Sequence, residues 1–177
     1  MRFRTARCPG GFKKGKINKT TKGKEERKGN TMLNGIPKII SPELLKILDE
    51  MGHGDRIVIT DGNFPAESMG RDCHVVRADG HNVPELLDAI LQLMPLDHMI
   101  DAPVNLMAVS EGDNVETPIW EVYQETIAKY NEKAAAHIGQ MERYEFYAAS
   151  RKSYAIVATG ESALYANIML QKGVVKS

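Results

Sequence analysis

Apolar residues recur along this chain with two spacings, one typical of amphipathic helices and one typical of buried strands. In the segment 41–52, leucine, isoleucine and methionine fall at helical spacing. Ser41-Pro42-Glu43 supplies an N-cap hydroxyl, a proline at the first helical position and an early acid. Gly52 follows the last apolar residue of the pattern. The sequence therefore predicts a helix that begins after Ser41 and ends at Gly52.

Strand signals and helix signals then alternate along the rest of the chain. Short β-branched or apolar runs predict strands over 56–60, 73–77, 104–109, 154–159 and 167–170, and helical spacing predicts helices over 84–94, 117–136 and 141–152. This alternation favours a layered α/β domain. Because the last two strands follow each other closely, a mixed sheet is favoured over a purely parallel one.

Charge is unevenly distributed, although the formal net charge is zero. Residues 1–31 hold 11 lysines and arginines against two glutamates and carry +9, which leaves −9 for residues 32–177. The first segment has few apolar residues and no regular period, so we expect it to be a disordered basic tail. Its charge alone also leaves a nucleic-acid-binding arm open as an alternative.

The genetic code suggests another origin for residues 1–31. Every residue from Lys22 to Gly29 can be encoded by purines alone, and two codons separate this run from Met32. A purine-rich run just ahead of a methionine codon resembles a translated ribosome-binding site. We therefore expect the tail to be a mis-assigned start or a cloning remnant, and 32–177 to be one functional domain without a nucleic-acid partner.

Composition argues against several classes of protein. The apolar runs are far shorter than the roughly 20 residues of a membrane-spanning helix, so no membrane partner is expected. Cys8 and Cys73 are too few for a disulfide framework and lack the paired spacing of a zinc site, which favours a reducing, cytoplasmic compartment. The chain also lacks a phosphate loop, a dinucleotide-binding glycine motif and a nucleophile elbow.

Five polar residues are candidates for chemistry, and each has an ordinary alternative. His53 lies between two glycines, Asp61 directly follows a predicted strand, and Asp97 follows a predicted helix. The alternatives are a surface histidine, a turn aspartate and a carboxylate on a solvated loop. Arg143 and Tyr147 stand four residues apart and share one helical face, which either faces a ligand or packs its aromatic residues into the core.

Further polar residues lie at the ends of the other predicted strands. Arg77 and Asp79 form a possible ion pair after the second strand. Thr159-Gly160-Glu161 makes a turn after the fourth predicted strand, and Tyr165-Ala166-Asn167 leads into the last one. Alone, each of these segments is a weak signal.

Six short sequence blocks, taken in their order along the chain, resemble the corresponding blocks of the ribose pyranase and fucose mutarotase family, and of its fucose branch in particular. The matching blocks are Ser41-Pro42-Glu43-Leu44-Leu45, Met51-Gly52-His53-Gly54-Asp55, Asn63-Phe64-Pro65-Ala66, Arg77-Ala78-Asp79-Gly80, Arg143 with Phe146-Tyr147, and Thr159-Gly160-Glu161. The resemblance extends from about Gly35 to Val174. It implies a single-domain, three-layer α/β/α sandwich with a mixed sheet.

The resemblance also implies an activity, the interconversion of monosaccharide anomers by acid–base ring opening, without a cofactor or a metal. L-fucose is the implied substrate. His53 matches the histidine acid of the family, and Tyr147 and Asp97 match residues held to be catalytic in its animal branch. The implied sugar-binding residues are Asp61, Arg143, Tyr165, Ala166 and Asn167.

Two further implications concern assembly and specificity. The family forms ring-shaped homo-oligomers, commonly decamers in bacteria, with sugar sites near the subunit contacts. Ala166 departs from the glycine that is usual in the fucose branch, and alanine is typical of the ribose pyranase branch. D-ribose pyranase activity, which interconverts pyranose and furanose forms, therefore stays an alternative, as does monosaccharide binding without turnover.

Overall fold

The computed structural model describes residues 33–175, so the predictions for residues 1–31 lie outside the described residues. Within this range the helices are α1 (Pro42–Glu50), α2 (Ala66–Met69), α3 (Val83–Leu91), α4 (Ile119–Ala128), α5 (Glu132–Ala136) and α6 (Arg143–Ser150). The strands are β1 (Arg56–Thr60), β2 (His74–Ala78), β3 (Val104–Met107), β4 (Gly139–Met141), β5 (Ala155–Thr159) and β6 (Ile168–Gln171).

The strands form one mixed sheet in the order β2-β5-β1-β6-β3-β4. Strand β6 runs antiparallel to both of its neighbours, β1 and β3, and the other pairs are parallel. The register aligns Ile57 with Ala155 on one side of β1 and with Leu170 on the other. The mixed sheet expected from the closely spaced last strands is confirmed.

Alternate residues of the central strands supply two separate hydrophobic cores. Ile57 and Ile59 of β1 face a core shared with α1, α3, α4 and α5, whereas Val58 faces a second core that includes Phe146 of α6. A strand that is buried on both faces has apolar residues at consecutive positions, which explains the uninterrupted run Ile57-Val58-Ile59 in the middle of β1. The helices on both faces confirm the three-layer α/β/α architecture.

Helix α1 follows its sequence signals closely. The Ser41 hydroxyl accepts a hydrogen bond from the Leu44 N–H at 3.1 Å, and Pro42 begins the helix. The last helical residue is Glu50, because Met51 adopts an extended backbone. Lys172 Nζ then donates to the Leu48 carbonyl at 2.8 Å and to the Met51 carbonyl at 2.5 Å. A cation thus binds carbonyl groups that a helix C-terminus leaves without partners.

The single helix predicted over 117–136 is wrong, because two helices occupy this segment. Asn131 has an extended backbone, and its side chain accepts from the Ala134 N–H at 3.0 Å, so it caps α5. An asparagine that offers its own acceptor to the backbone competes with helix continuation. The sequence pattern also missed α2, which is only four residues long, and β4, whose Gly-Gln-Met sequence carries no β-branched residue.

Candidate functional site

Polar residues from several loops meet at one edge of the sheet. The parallel strands β1, β3 and β4 end at this edge, and the antiparallel strand β6 begins there. Asp61 follows β1, Arg143 follows β4 and Asn167 precedes β6. The carboxyl ends of strands are where open α/β sheets commonly bind ligands.

Asp61 and Asn167 form the base of this site through a reciprocal pair of hydrogen bonds. The Asp61 N–H donates to Asn167 Oδ1 at 3.0 Å, and Asn167 Nδ2 donates to Asp61 Oδ2 at 2.8 Å. The second carboxylate oxygen, Oδ1, accepts from the Asn63 N–H at 3.0 Å. Both Asp61 and Asn167 are buried. The orientation of the Asp61 carboxylate is therefore fixed by the turn that follows β1 and by β6.

Burial raises the pKa of the Asp61 carboxyl above its ordinary value. The hydrogen bonds from Asn63, Asn167 and the backbone of Ala166 act in the opposite direction, because they favour the charged form. Burial is the larger effect. A carboxyl in this position holds a proton more readily than one in water.

Helix α6 presents Arg143 and Tyr147 to the same pocket, as their four-residue spacing predicts. Arg143 Nη2 donates to the Tyr165 hydroxyl at 2.8 Å. The ring of Tyr147 packs edge-on against Phe64, with 5.5 Å between the ring centroids. Phe146, by contrast, is fully buried in the core. The helix therefore contributes Phe146 to the core and Tyr147 to the pocket.

Tyr165 is held in a backbone conformation that side-chain-bearing residues rarely adopt, with φ at +56°. Trp120 Nε1 donates to its carbonyl at 2.9 Å, which ties this turn to α4. The next carbonyl, that of Ala166, accepts from the buried Tyr123 hydroxyl at 2.8 Å. Burial raises the pKa of Tyr123, so this hydroxyl stays a donor. Ala166 thus supports the pocket wall through its backbone.

Asp113 is a pocket residue that the sequence reasoning missed. Its carboxylate accepts a hydrogen bond from the Tyr165 hydroxyl and lies 3.5 Å from Arg143 Nη2. Asp113 follows Gly112, whose φ of +89° turns the chain after β3. The signal that identified Asp61, an acid in a turn shortly after a buried strand, applies to Asp113 as well.

Together these side chains enclose a cavity of about 380 Å³. Its lining comprises Asp61, Asn63, Phe64, Met107, Asp113, Val115, Arg143, Tyr147, Leu164, Tyr165 and Asn167. This set combines hydrogen-bonding groups with apolar and aromatic side chains. Such a combination suits a small polar ligand that also has an apolar face.

His53 and Asp97 form a second polar cluster away from this cavity. His53 Nε2 lies 3.1 Å from Asp97 Oδ2, and Gln171 Nε2 donates to the same oxygen at 3.1 Å. The Met99 N–H donates to Asp97 Oδ1 at 2.9 Å. The His53 side chain is 44% exposed, whereas that of Asp97 is 2% exposed. An accessible imidazole therefore stands in front of a buried carboxylate.

Asp97 does not lie on a solvated loop, so that alternative for this residue is wrong. The hydrogen bond from Met99, helped by Gln171 and His53, lowers the pKa of the carboxyl despite its burial. Gly173 lets the chain at Leu96 approach closely, since a Cβ at this glycine would collide with the Leu96 carbonyl oxygen. Asp97 is thereby held against the end of β6.

The two clusters stand at opposite ends of the same strands. Asn167 precedes β6 and contacts Asp61 after β1, while Gln171 ends β6 beside Arg56 at the start of β1. Four residue steps of a strand separate Asn167 from Gln171, a distance of about 13 Å. Of the eight candidate residues, the fold brings together Asp61, Arg143, Tyr147, Tyr165 and Asn167, with Ala166 behind them, and places His53 and Asp97 elsewhere.

Two other properties of the described residues bear on function. In residues 33–175, no three histidine, cysteine, aspartate or glutamate side chains converge in a way that would hold a metal ion. No helix in the same range is both long enough and apolar enough to cross a membrane.

Comparison with known proteins identifies relatives of the whole described domain. The chain is 46% identical to the fucose mutarotase of Mus musculus over 145 residues, which span 80% of this chain and 94% of the mouse protein. The crystal structure of FucU from Bifidobacterium longum is 56% identical, with a TM-score of 0.79 over 80% of this chain and 99% of that one.

A second solved structure is the fucose mutarotase of Streptococcus pneumoniae in complex with L-fucose. It is 50% identical, with a TM-score of 0.75, and the match covers 81% of this chain and 100% of that one. The model of the RbsD / FucU transport protein family matches residues 34–175. With this match and these identities, the chain belongs to the RbsD / FucU transport protein family.

Proposed function

We propose that this protein interconverts the α and β anomers of L-fucose. The observation that carries the proposal is the similarity to fucose mutarotases over four-fifths of the chain, including a relative solved with L-fucose bound. The enzyme is a sugar isomerase that uses acid–base groups of the protein. Its two cysteines and their lack of a paired spacing favour the cytoplasm as its compartment.

The chemistry needs few groups. Mutarotation removes the proton of the anomeric hydroxyl and protonates the ring oxygen, which opens the ring, and closure on the other face reverses both transfers. Positioned proton donors and acceptors accelerate such a reaction by about 10² to 10⁴. We assign Tyr147 and His53 to proton transfer, with Asp97 behind His53, and Asp61 and Arg143 to the sugar hydroxyls.

Tyr165, Asn167 and Ala166 complete the proposed binding site in different ways. The Tyr165 hydroxyl lies in the pocket beside Arg143, and Asn167 orients Asp61. Ala166 shapes the turn between them through its carbonyl. The apolar wall that includes Phe64 and Met107 suits the methyl group of a 6-deoxy sugar.

His53 and Asp97 enter this mechanism only from another subunit. Because one subunit separates them from the pocket by the length of β6, we propose that they reach the pocket of a neighbour in a homo-oligomer. The 44% exposure of the His53 side chain supports this arrangement, as does Met99, which is 67% exposed and whose N–H donates to Asp97. A ring-shaped assembly, such as the decamer expected from the resemblance, repeats one contact of this kind around its axis.

Saturation-transfer NMR at the anomeric protons tests the activity directly. We expect fast exchange with L-fucose and much slower exchange with D-ribose, for which pyranose–furanose exchange is followed in parallel.

Tyr147→Phe and His53→Ala should each slow the exchange of L-fucose by about 10² to 10⁴, with unchanged circular dichroism. Asp72→Asn, an exposed site before β2, is the matched control and should match wild type. If the wild-type protein accelerates pyranose–furanose exchange of D-ribose and not the exchange of L-fucose, its activity is that of a D-ribose pyranase.

Mixing the two inactive variants tests the shared site. If each site takes Tyr147 from one subunit and His53 from the next, a dissociated and reassembled equal mixture contains sites in which both residues are intact. Random assembly makes this fraction about one quarter, so about one quarter of wild-type activity should return. No recovery in a mixture shown to have reassembled would contradict the shared site while leaving the sugar assignment in place.

A further inference from the structure

The charges in the pocket are arranged so that the guanidinium of Arg143 already has a carboxylate beside it. Among the described residues that line it, the side chains with a carboxyl or guanidinium group are Asp61, Asp113 and Arg143. Arg143 Nη2 lies 3.5 Å from Asp113 Oδ2. Asp61 has no cation among its hydrogen-bond partners, which are amide groups. The pocket as a whole is therefore neutral to negative.

Asp113 belongs to a hydrogen-bond network that lines the pocket. The Tyr165 hydroxyl accepts from Arg143 at 2.8 Å and donates to the Asp113 carboxylate, so the three side chains form one network. The Arg143 and Asp113 side chains are 36% and 47% exposed. Both charges consequently act on whatever enters the cavity.

We propose that Asp113 is a specificity-determining residue that keeps anionic sugars, such as sugar phosphates and sugar acids, out of the pocket. A guanidinium without a carboxylate beside it is a ready binding site for phosphate and carboxylate groups. With Asp113 in place, an anion in the pocket lies near a guanidinium that already has a carboxylate partner, and it is repelled by the carboxylates of Asp113 and Asp61. The selected substrate is a free, uncharged monosaccharide, so the reaction precedes any transfer of a phosphate group to the sugar. This inference rests on the proposed function.

Asp113→Asn tests the inference, because asparagine keeps the shape and removes the charge. The first measurement is anomeric exchange of L-fucose and of L-galacturonate, which carries a carboxylate where L-fucose carries its methyl group. Removing a unit negative charge from the wall of the pocket should improve exchange of the acid relative to L-fucose by about tenfold or more. Asp72→Asn makes the same change of charge outside the pocket and should leave the ratio unchanged.

The second measurement does not depend on turnover. Binding of inorganic phosphate is followed by ³¹P NMR at constant ionic strength, and Asp113→Asn should bind it about tenfold more tightly than wild type or Asp72→Asn. Adding Arg143→Gln should remove the gain. Phosphate binding that does not tighten in folded Asp113→Asn overturns the inference. A wild-type protein without L-fucose exchange would instead refute the proposed function, and the phosphate measurement would still decide the role of Asp113.

Discussion

Replacing Asn167 with leucine should destabilise the fold in a way that depends on pH. Asn167 is buried, and its side chain is the donor to Asp61 Oδ2 and the acceptor of the Asp61 N–H. Leucine has a similar size and provides neither group. The substitution therefore leaves a buried backbone donor without a partner and removes one donor from a buried carboxylate.

The magnitude follows from these two losses. A hydrogen bond to a charged group contributes about 1.5–3 kcal/mol, and an unpaired buried N–H costs about 1–3 kcal/mol. The cavity beside Asp61 admits water, which recovers part of this loss. We therefore expect the free energy of unfolding to fall by about 3 kcal/mol at pH 7.5.

The sign of the pH dependence comes from Asp61. Its folded pKa is already above the unfolded value, and losing the Asn167 donor raises it further, because the charged form is the one that loses a hydrogen bond. In both proteins the buried charge of Asp61 lowers the free energy of unfolding at pH values above the pKa that Asp61 has in the folded chain. Protonation of Asp61 removes this penalty as the pH falls from that pKa toward the lower pKa of Asp61 in the unfolded chain. The penalty is larger in the variant, so the difference between variant and wild type should shrink on acidification.

Urea unfolding at pH 7.5 and at pH 5, at one protein concentration, measures the effect. Asn105→Leu is the control, because the Asn105 side chain donates to the Ala102 carbonyl and to no ionisable group. Its effect on stability should be the same at both pH values. A loss in Asn167→Leu below about 1 kcal/mol, or an equal loss at both pH values, would refute this account of Asp61.

Three further predictions concern parts of the structure outside the pocket. Ser41→Ala should lower the free energy of unfolding by about 1 kcal/mol through loss of the α1 cap, measured by urea unfolding, whereas Ser41→Asp should retain most of it. Gly160→Ala should lower it by about 1–3 kcal/mol in the same assay, because the new Cβ would collide with the Asp79 carbonyl oxygen. Gln171→Leu should cost about 1–2 kcal/mol at pH 7, since Asp97 loses a donor and Arg56 Nε loses an acceptor. The Asp97 pKa is lowered on folding, so this last loss should shrink as the pH falls through that pKa, and a constant loss would contradict the assigned hydrogen bond.

Much of the fold could be predicted from the sequence because the central elements carry strong local signals. Strand β1 occupies the predicted residues 56–60, since Ile57, Val58 and Ile59 form the apolar run of a strand that is buried on both faces. Helix α1 begins at its predicted cap. The errors occur where local signals are weak or compete, as at Asn131 and in the short strand β4. The strand order depends on pairing between distant segments, which spacing along the chain does not encode.

The pocket was harder to predict than the fold. The spacing of Arg143 and Tyr147 correctly placed both on one face of α6, because helical geometry is local. The partnership of Asp61 with Asn167 joins residues 106 positions apart and follows only from the pairing of β1 with β6. Asp113 carried the same kind of signal as Asp61. Its meaning depended on Tyr165 and Arg143, which the fold alone brings to it.

The antiparallel direction of β6 links the two polar clusters of the molecule. Its first end places Asn167 beside Asp61, and its last residue, Gln171, holds Asp97 behind His53. A rigid strand fixes the geometry of each cluster and also keeps the two apart, so no small loop movement within the chain unites them. If His53 and Tyr147 act on the same sugar, assembly of subunits is therefore a condition of catalysis, and activity should depend on protein concentration wherever the oligomer dissociates.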